Sequence, residues 1–167
     1  MGAGSTTTDP AASYLLVPGR HLVNTKFQEQ YLLQVLRENP ATLPGFNAGR
    51  ARPSTLPHEV IFAITSANRE NSRYNPVPFH IRAIGVDRFA RQLQGETSFR
   101  YRILGIPHYG HNQKFAAFAI KEIADQTEKA VRLTPENCLV LTSTPEVISL
   151  FQEVRAGSGY RAHECPA

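Results

Sequence analysis

The stretch that decides the fold runs from Ser13 to Glu38 and reads SYLLVPGRHLVNTKFQEQYLLQVLRE. Its opening, Ser13 to Pro18, is a short apolar run ending at Pro-Gly, the pattern of a buried strand. From Thr25 to Glu38 apolar residues recur at Phe27, Tyr31, Leu32, Val35 and Leu36, which is helical spacing, and Asn39-Pro40 stops the helix. Thr25 and Gln28 stand three apart at its start, as a capping box requires. Strand, glycine-bearing loop and helix therefore follow one another in a single β–loop–α unit.

The same unit recurs along the chain. Glu59 to Thr65 (EVIFAIT) is a second strand, rich in β-branched and aromatic residues. A polar loop from Ser66 to Asn75 leads into a helix expected from about Val77 to Leu93. Tyr101 to Ile106 is a third strand, followed by a helix from about Asn112 to Thr127. Asn137 to Leu141 is a fourth strand, Pro145 to Val154 a fourth helix, and Gly159 to Ala162 a short last strand. No Asn-Gly hairpin signal separates the strands. The pattern predicts an α/β, Rossmann-like, doubly wound fold: a mainly parallel sheet with helices on both faces.

Length fits a single domain, expected over residues 13–163. Residues 40–57 hold four prolines and two glycines and read as a loop insertion. Residues 1–12 are small and polar, without the apolar segment of a secretory signal, and read as a disordered tail, as do 164–167. Gly2 and Thr6 match a myristoylation pattern that is short enough to arise by chance. The 41% hydrophobic content suffices for a core, while no apolar run approaches the ~20 residues that span a bilayer. The net charge of +4 is spread, mostly as arginine near predicted loops, with no basic block. That suits a compact phosphate ligand at least as well as a nucleic acid. Two distant cysteines, Cys138 and Cys165, give neither a zinc signature nor a disulfide framework and point to a reducing, cytoplasmic setting.

In a sheet of this kind ligands lie beyond the carboxyl ends of the strands. The first such loop offers Gly19, Arg20 and His21, then Lys26 at a helix N-terminus, where backbone N–H groups and the helix dipole favour a phosphate. It is neither a GxGxxG fingerprint nor a Walker A loop. The second, Thr65 to Pro76, contains two arginines and three asparagines, with Ser66, Asn68 and Asn75 as candidates; a solvated polar loop is the plain alternative. The third carries His108 and His111, three apart with no third ligand in view, so zinc is not expected. In the fourth, Thr142, Ser143 and Thr144 precede a helix, where N-capping alone accounts for hydroxyls.

Several of these motifs fall together. Ser66-Ala67-Asn68, Asn75-Pro76 and Arg82 are spaced as the S-A-Q, N-P and downstream arginine of a known family; Gly19-Arg20 follows the first strand, and Leu139 to Tyr160 has its strand–hydroxyl–Pro–helix–Gly-Tyr order. Over roughly Tyr14 to Arg161 the chain resembles the HxGH nucleotidylyltransferase superfamily, most closely the archaeal type of nicotinamide-nucleotide adenylyltransferase. Thr25-Lys26-Phe27-Gln28 stands where that family has its H-x-G-H, and Ile81 where it has a glutamate, while a literal His108-Tyr109-Gly110-His111 follows the third strand. The resemblance implies transfer of a nucleotidyl group from a nucleoside triphosphate, ATP by preference, to a phosphorylated acceptor such as nicotinamide mononucleotide, a step of NAD biosynthesis. Pyrophosphate leaves, Mg2+ is bound through the triphosphate, and no protein nucleophile is required. It casts Arg20, Thr25 and Gln28 as catalytic. Gly19, His21, Lys26, Ser66, Asn68, Asn75, Arg82, His108, His111, Thr142, Ser143 and Thr144 become nucleotide or phosphate contacts. The replaced histidines support a second expectation, a nucleotide-binding module without transfer activity. Neither expectation involves a nucleic acid or a membrane, and both leave self-association into a homo-oligomer open.

Overall fold

The computed structural model describes residues 13–38, 56–69, 72–73, 75–110, 112–154 and 161–164, the last four by their backbone alone. The expectations for 1–12, most of 40–57, His111 and the final tail lie outside these residues. The elements are β1 (Tyr14–Gly19), α1 (Lys26–Arg37), β2 (Glu59–Ile64), α2 (Phe79–Gln94), β3 (Arg100–Gly105), α3 (Phe115–Gln126), β4 (Cys138–Thr142), α4 (Pro145–Gln152) and β5 (Arg161–Glu164). The five strands form one sheet in the order β3-β2-β1-β4-β5, with every neighbouring pair parallel. The fold is the expected Rossmann-like, doubly wound α/β architecture.

Strand alternation builds the two layers. Leu15, Val60, Phe62, Ile64, Leu139 and Leu141 point to one face, where Leu32, Val35 and Leu36 of α1 and Val86, Phe89, Ala90 and Leu93 of α2 cover them. Tyr14, Leu16, Ile61, Ala63, Cys138 and Val140 point to the other, beneath Ala116, Ala119 and Ile123 of α3 and Phe151 of α4. β1, β2 and β4 are buried on both faces, so their sequences read as nearly continuous apolar runs. Because β1 pairs with β2 on one side and β4 on the other, the chain reverses its winding between β1 and β4, and a crevice opens beyond that pair.

Two helices start later than their periodicity predicts. The second begins at Phe79 rather than Val77, since Pro78 occupies the N-cap with ψ 149° and the residue before a proline is pushed out of helical geometry. The third begins at Phe115 rather than Asn112, because the Asn112 side chain accepts the Lys114 N–H at 2.8 Å and forms a local turn instead. The last strand lies at Arg161–Glu164, two residues beyond its expected position.

Among the described residues β3 is an edge strand. Arg100 and Arg102 project from it, and both pair with Glu59 of β2, a carboxylate only 5% exposed. Its last residue, Gly105, sits where a Cβ would lie 2.9 Å from the Ala67 Cβ and 3.1 Å from the Phe79 ring. Gly105→Ala is expected to destabilise the fold by about 1–3 kcal/mol through overpacking. Chemical denaturation checks it, and an unchanged midpoint would mean that the Ser66 loop and α2 yield easily. Among the described residues no helix is long and apolar enough to cross a membrane.

Candidate functional site

The crevice beyond β1 and β4 is a cleft of about 320 Å³. Val17, Leu32, Phe62, Phe89 and Leu141 form an apolar floor; the rim is Pro18 to Asn24 with Gln28 on one side and Thr142 to Thr144 on the other. An apolar floor with a few convergent polar groups is the usual make-up of a small-molecule site. The rim includes Arg20 and several hydroxyl- and amide-bearing residues, and no carboxylate is among its described residues.

His21 is pinned into this wall. Its φ of 51° is left-handed, and its Nε2 lies 3.0 Å from the Val17 carbonyl. A carbonyl only accepts, so Nε2 carries the proton and Nδ1 is left as an acceptor. The ring also meets Phe62 edge-on, with centroids 5.9 Å apart. Burial lowers the His21 pKa below its ordinary 6.5; the bond to Val17 opposes this, and the Arg82 charge reinforces it. The expected phosphate donor is therefore a neutral imidazole.

The linkage has a definite sign. Well above pH 6.5 His21 is neutral in both the folded and unfolded chains and contributes no pH dependence. Below it the unfolded chain takes up a proton that the folded chain resists. Stability is expected to fall as pH drops from about 7 toward 5, levelling off below the folded-state pKa. Thermal melts across that range should show a shallower decline for His21→Asn; equal slopes would remove His21 as the cause.

At the start of α1 the capping box forms as its spacing predicts. The Gln28 N–H donates to Thr25 Oγ1 at 3.2 Å, and the Thr25 N–H donates to Gln28 Oε1 at 2.9 Å. Thr25 is thus a helix cap outside the cleft lining, not a group facing a substrate. Lys26 is exposed and also stands outside the lining. The N–H groups of Lys26 and Phe27 open the helix without intrahelical acceptors. At α4 the outcome reverses, because Thr144 makes no side-chain cap bond. Capping therefore does not account for the exposed Ser143 and Thr144 hydroxyls at the cleft rim, while Thr142 is buried and its Oγ1 accepts the Thr144 N–H at 3.3 Å.

The remaining candidates form a second group beyond β2 and β3. Ser66 Oγ lies 2.9 Å from His108 Nδ1, and the Asn68 side chain accepts the His108 backbone N–H at 2.7 Å. Asn75 is buried, and its side-chain N–H groups donate to the Ser66 carbonyl at 3.0 Å and to the Arg69 carbonyl. Ser66, like His21, has a left-handed φ, here 54°. Non-glycine residues persist in that region only where their surroundings hold them, and such positions concentrate at functional sites.

Arg82 joins the two groups from beneath. Its side chain is buried, with 2% of the residue exposed. Nη1 donates to the carbonyls of Arg20 (3.0 Å) and Thr65 (2.8 Å), and Nη2 to that of Ser66 (3.2 Å). Expected as a ligand contact, it is instead a brace that ties the loop after β1 to the loop after β2. Its guanidinium is engaged with backbone oxygens.

The structure thus brings Gly19, Arg20, His21, Gln28, Thr142, Ser143 and Thr144 to one cleft and places Ser66, Asn68, Asn75 and His108 beside it. Asn24 and the apolar floor were not among the candidates. Alternation carries part of that signal, since Val17, Phe62 and Leu141 all point toward the α1–α2 face near the ends of their strands. Compared with known proteins, the sequence matches no protein-family model, and no curated protein matches it significantly.

Proposed function

We propose that this protein binds a nucleoside triphosphate, ATP by preference, in the β1–β4 cleft. It transfers the nucleotidyl group to a phosphorylated small-molecule acceptor with release of pyrophosphate. The observation that carries this reading is the position of the cleft at the winding reversal of a doubly wound parallel sheet. There Gln28 in the first turn of α1, Arg20 and the Ser143 and Thr144 hydroxyls before α4 line one cleft. Arg20 and Gln28 supply donors for phosphate oxygens and the apolar floor accommodates a base. The chemistry asks the cleft for positioning and charge neutralisation. The described lining lacks carboxylates, so it offers no protein cage for Mg2+, and the ion enters with the triphosphate as part of the substrate. Nicotinamide mononucleotide is the acceptor to test first.

A second reading, nucleotide binding without transfer, draws on two observations. His21 presents an acceptor rather than a donor, and Arg82 is committed to the backbone, so the cleft holds fewer phosphate donors than its sequence promised. Pyrophosphate release from MgATP, measured with and without nicotinamide mononucleotide and with products identified by mass, separates the two. Acceptor-dependent release with a dinucleotide product supports transfer. ATP binding without release across a panel of phosphorylated acceptors supports the binding module, and absence of ATP binding overturns both.

A further inference from the structure

Ser66 and His108 are brought together by register. Ile64 of β2 pairs with Gly105 of β3, so Ser66 and His108 emerge two and three residues beyond a matched pair of strand ends. Four features of the pair belong to an activated nucleophile. The hydroxyl and the imidazole Nδ1 are in hydrogen-bond contact at 2.9 Å, so with the ring proton on Nε2 the Ser66 hydroxyl donates to Nδ1. The serine sits on a left-handed turn directly after a strand, the strained setting that presents a hydroxyl at the top of a sheet. That turn is held in place: Asn75 and Arg82 donate to the Ser66 carbonyl, the Ala67 N–H donates to the Ile106 carbonyl at 3.0 Å, and Asn68 holds the His108 backbone. The side chains are nonetheless accessible, with His108 exposed and Ser66 half-buried.

The pair also lies beside the cleft. One guanidinium, that of Arg82, contacts the carbonyls of both Ser66 and Arg20, and Arg20 lines the cleft. We infer that Ser66 is a nucleophile with His108 as its general base, poised to attack an electrophilic phosphorus centre held by the Arg20 loop. A bond forms between Ser66 Oγ and phosphorus, the hydroxyl proton passes to His108 Nδ1, and the leaving group departs with the electron pair of the broken bond. With MgATP, which rests on the function proposed above, the bond broken joins the α-phosphorus to its bridging oxygen and pyrophosphate leaves. The acceptor phosphate then attacks the seryl-bound phosphorus, and Ser66 recovers its proton from His108.

The test separates the nucleophile from the transferase. The full chain is treated with a fluorophosphonate probe, from which attack by serine expels fluoride, and the labelled peptide is identified by mass spectrometry. Ser66 is expected to be the labelled residue. His108→Asn, which keeps an acceptor near Ser66 but cannot serve as the base, should slow labelling by about a hundredfold or more. Ser66→Gly removes the hydroxyl while suiting the left-handed backbone. It should keep the wild-type unfolding midpoint and lose the label, which guards against a variant that merely fails to fold. No label on Ser66, under conditions that fully label a serine hydrolase, overturns the inference, as does equal labelling of His108→Asn. In a parallel sample MgATP replaces the probe. A nucleotidyl adduct on Ser66 supports both proposals. Probe labelling with neither adduct nor pyrophosphate supports the nucleophile and overturns MgATP as its electrophile, while the acceptor-dependent assay above decides transfer separately.

Discussion

Replacing Arg82 with methionine is expected to lower stability by about 2 kcal/mol or more, because each part-buried carbonyl left without a donor costs about 1 kcal/mol or more. Two carbonyls lose their side-chain donor, those of Arg20 and Thr65, while that of Ser66 keeps the Asn75 amide. For a chain of this size the loss corresponds to about 6 °C in the unfolding midpoint. Arg82→Lys should not rescue it, since a compact ammonium cannot reproduce a planar fork that spans separate loops. Calorimetry on both variants decides the matter. A wild-type midpoint in Arg82→Met would mean that water or neighbouring N–H groups take over the carbonyls, and the brace would have to be abandoned. The distinction matters for reading activity. Loss of nucleotide binding in an Arg82 variant reports collapse of the loop frame, not removal of a phosphate contact.

Phe62→Ala should cost about 3–5 kcal/mol, the range for deleting a large buried aromatic side chain. Phe62 is 1% exposed in β2, packs edge-on against both His21 and Phe89, and forms part of the cleft floor. Its loss removes core volume and the surface that holds the His21 ring. Phe62→Leu keeps most of the volume and should cost less than about 1.5 kcal/mol. Denaturant titrations give the stability terms, and ligand affinity measured on Phe62→Leu tests the floor in a folded protein. If Phe62→Ala lost under about 1 kcal/mol, the cavity would have collapsed onto α2, and the floor would be more plastic than its packing indicates.

How much of this was written in the sequence depends on the scale at which it is read. The Ser13–Glu38 stretch gives strand, loop, capping box and helix correctly because each rests on contacts within a few residues. The parallel, doubly wound arrangement follows from strands that are apolar throughout and separated by helices. The burial of Arg82 was legible but overridden. It stands on the stripe Arg82, Val86, Phe89 and Leu93, at helical spacing, which marks the buried face of α2. Reading it as a ligand contact gave its charge priority over its position. The partnership of Ser66 with His108 was not legible, because it depends on the register of β2 against β3, and nothing local fixes that register. The neutral state of His21 likewise depends first on its burial in the folded chain and, beyond the local Val17 bond, on the charge of Arg82, far from it in sequence.

The edge of the sheet has a consequence for how copies of this chain meet. Among the described residues no strand pairs with the outer side of β3, and an unpaired backbone ladder is the kind of template along which sheets extend from molecule to molecule. Arg100 and Arg102 project from the same face of that strand, 73% and 41% exposed at the side chain, and they share a single carboxylate. A second copy pairing in parallel would set each arginine beside its own counterpart. One pairing antiparallel about Tyr101 would set Arg100 beside Arg102. Either way like charges stand directly opposite each other, which disfavours the pairing. The arginines that fasten β3 to β2 thus also disfavour pairing of this edge with a second copy in either of these registers.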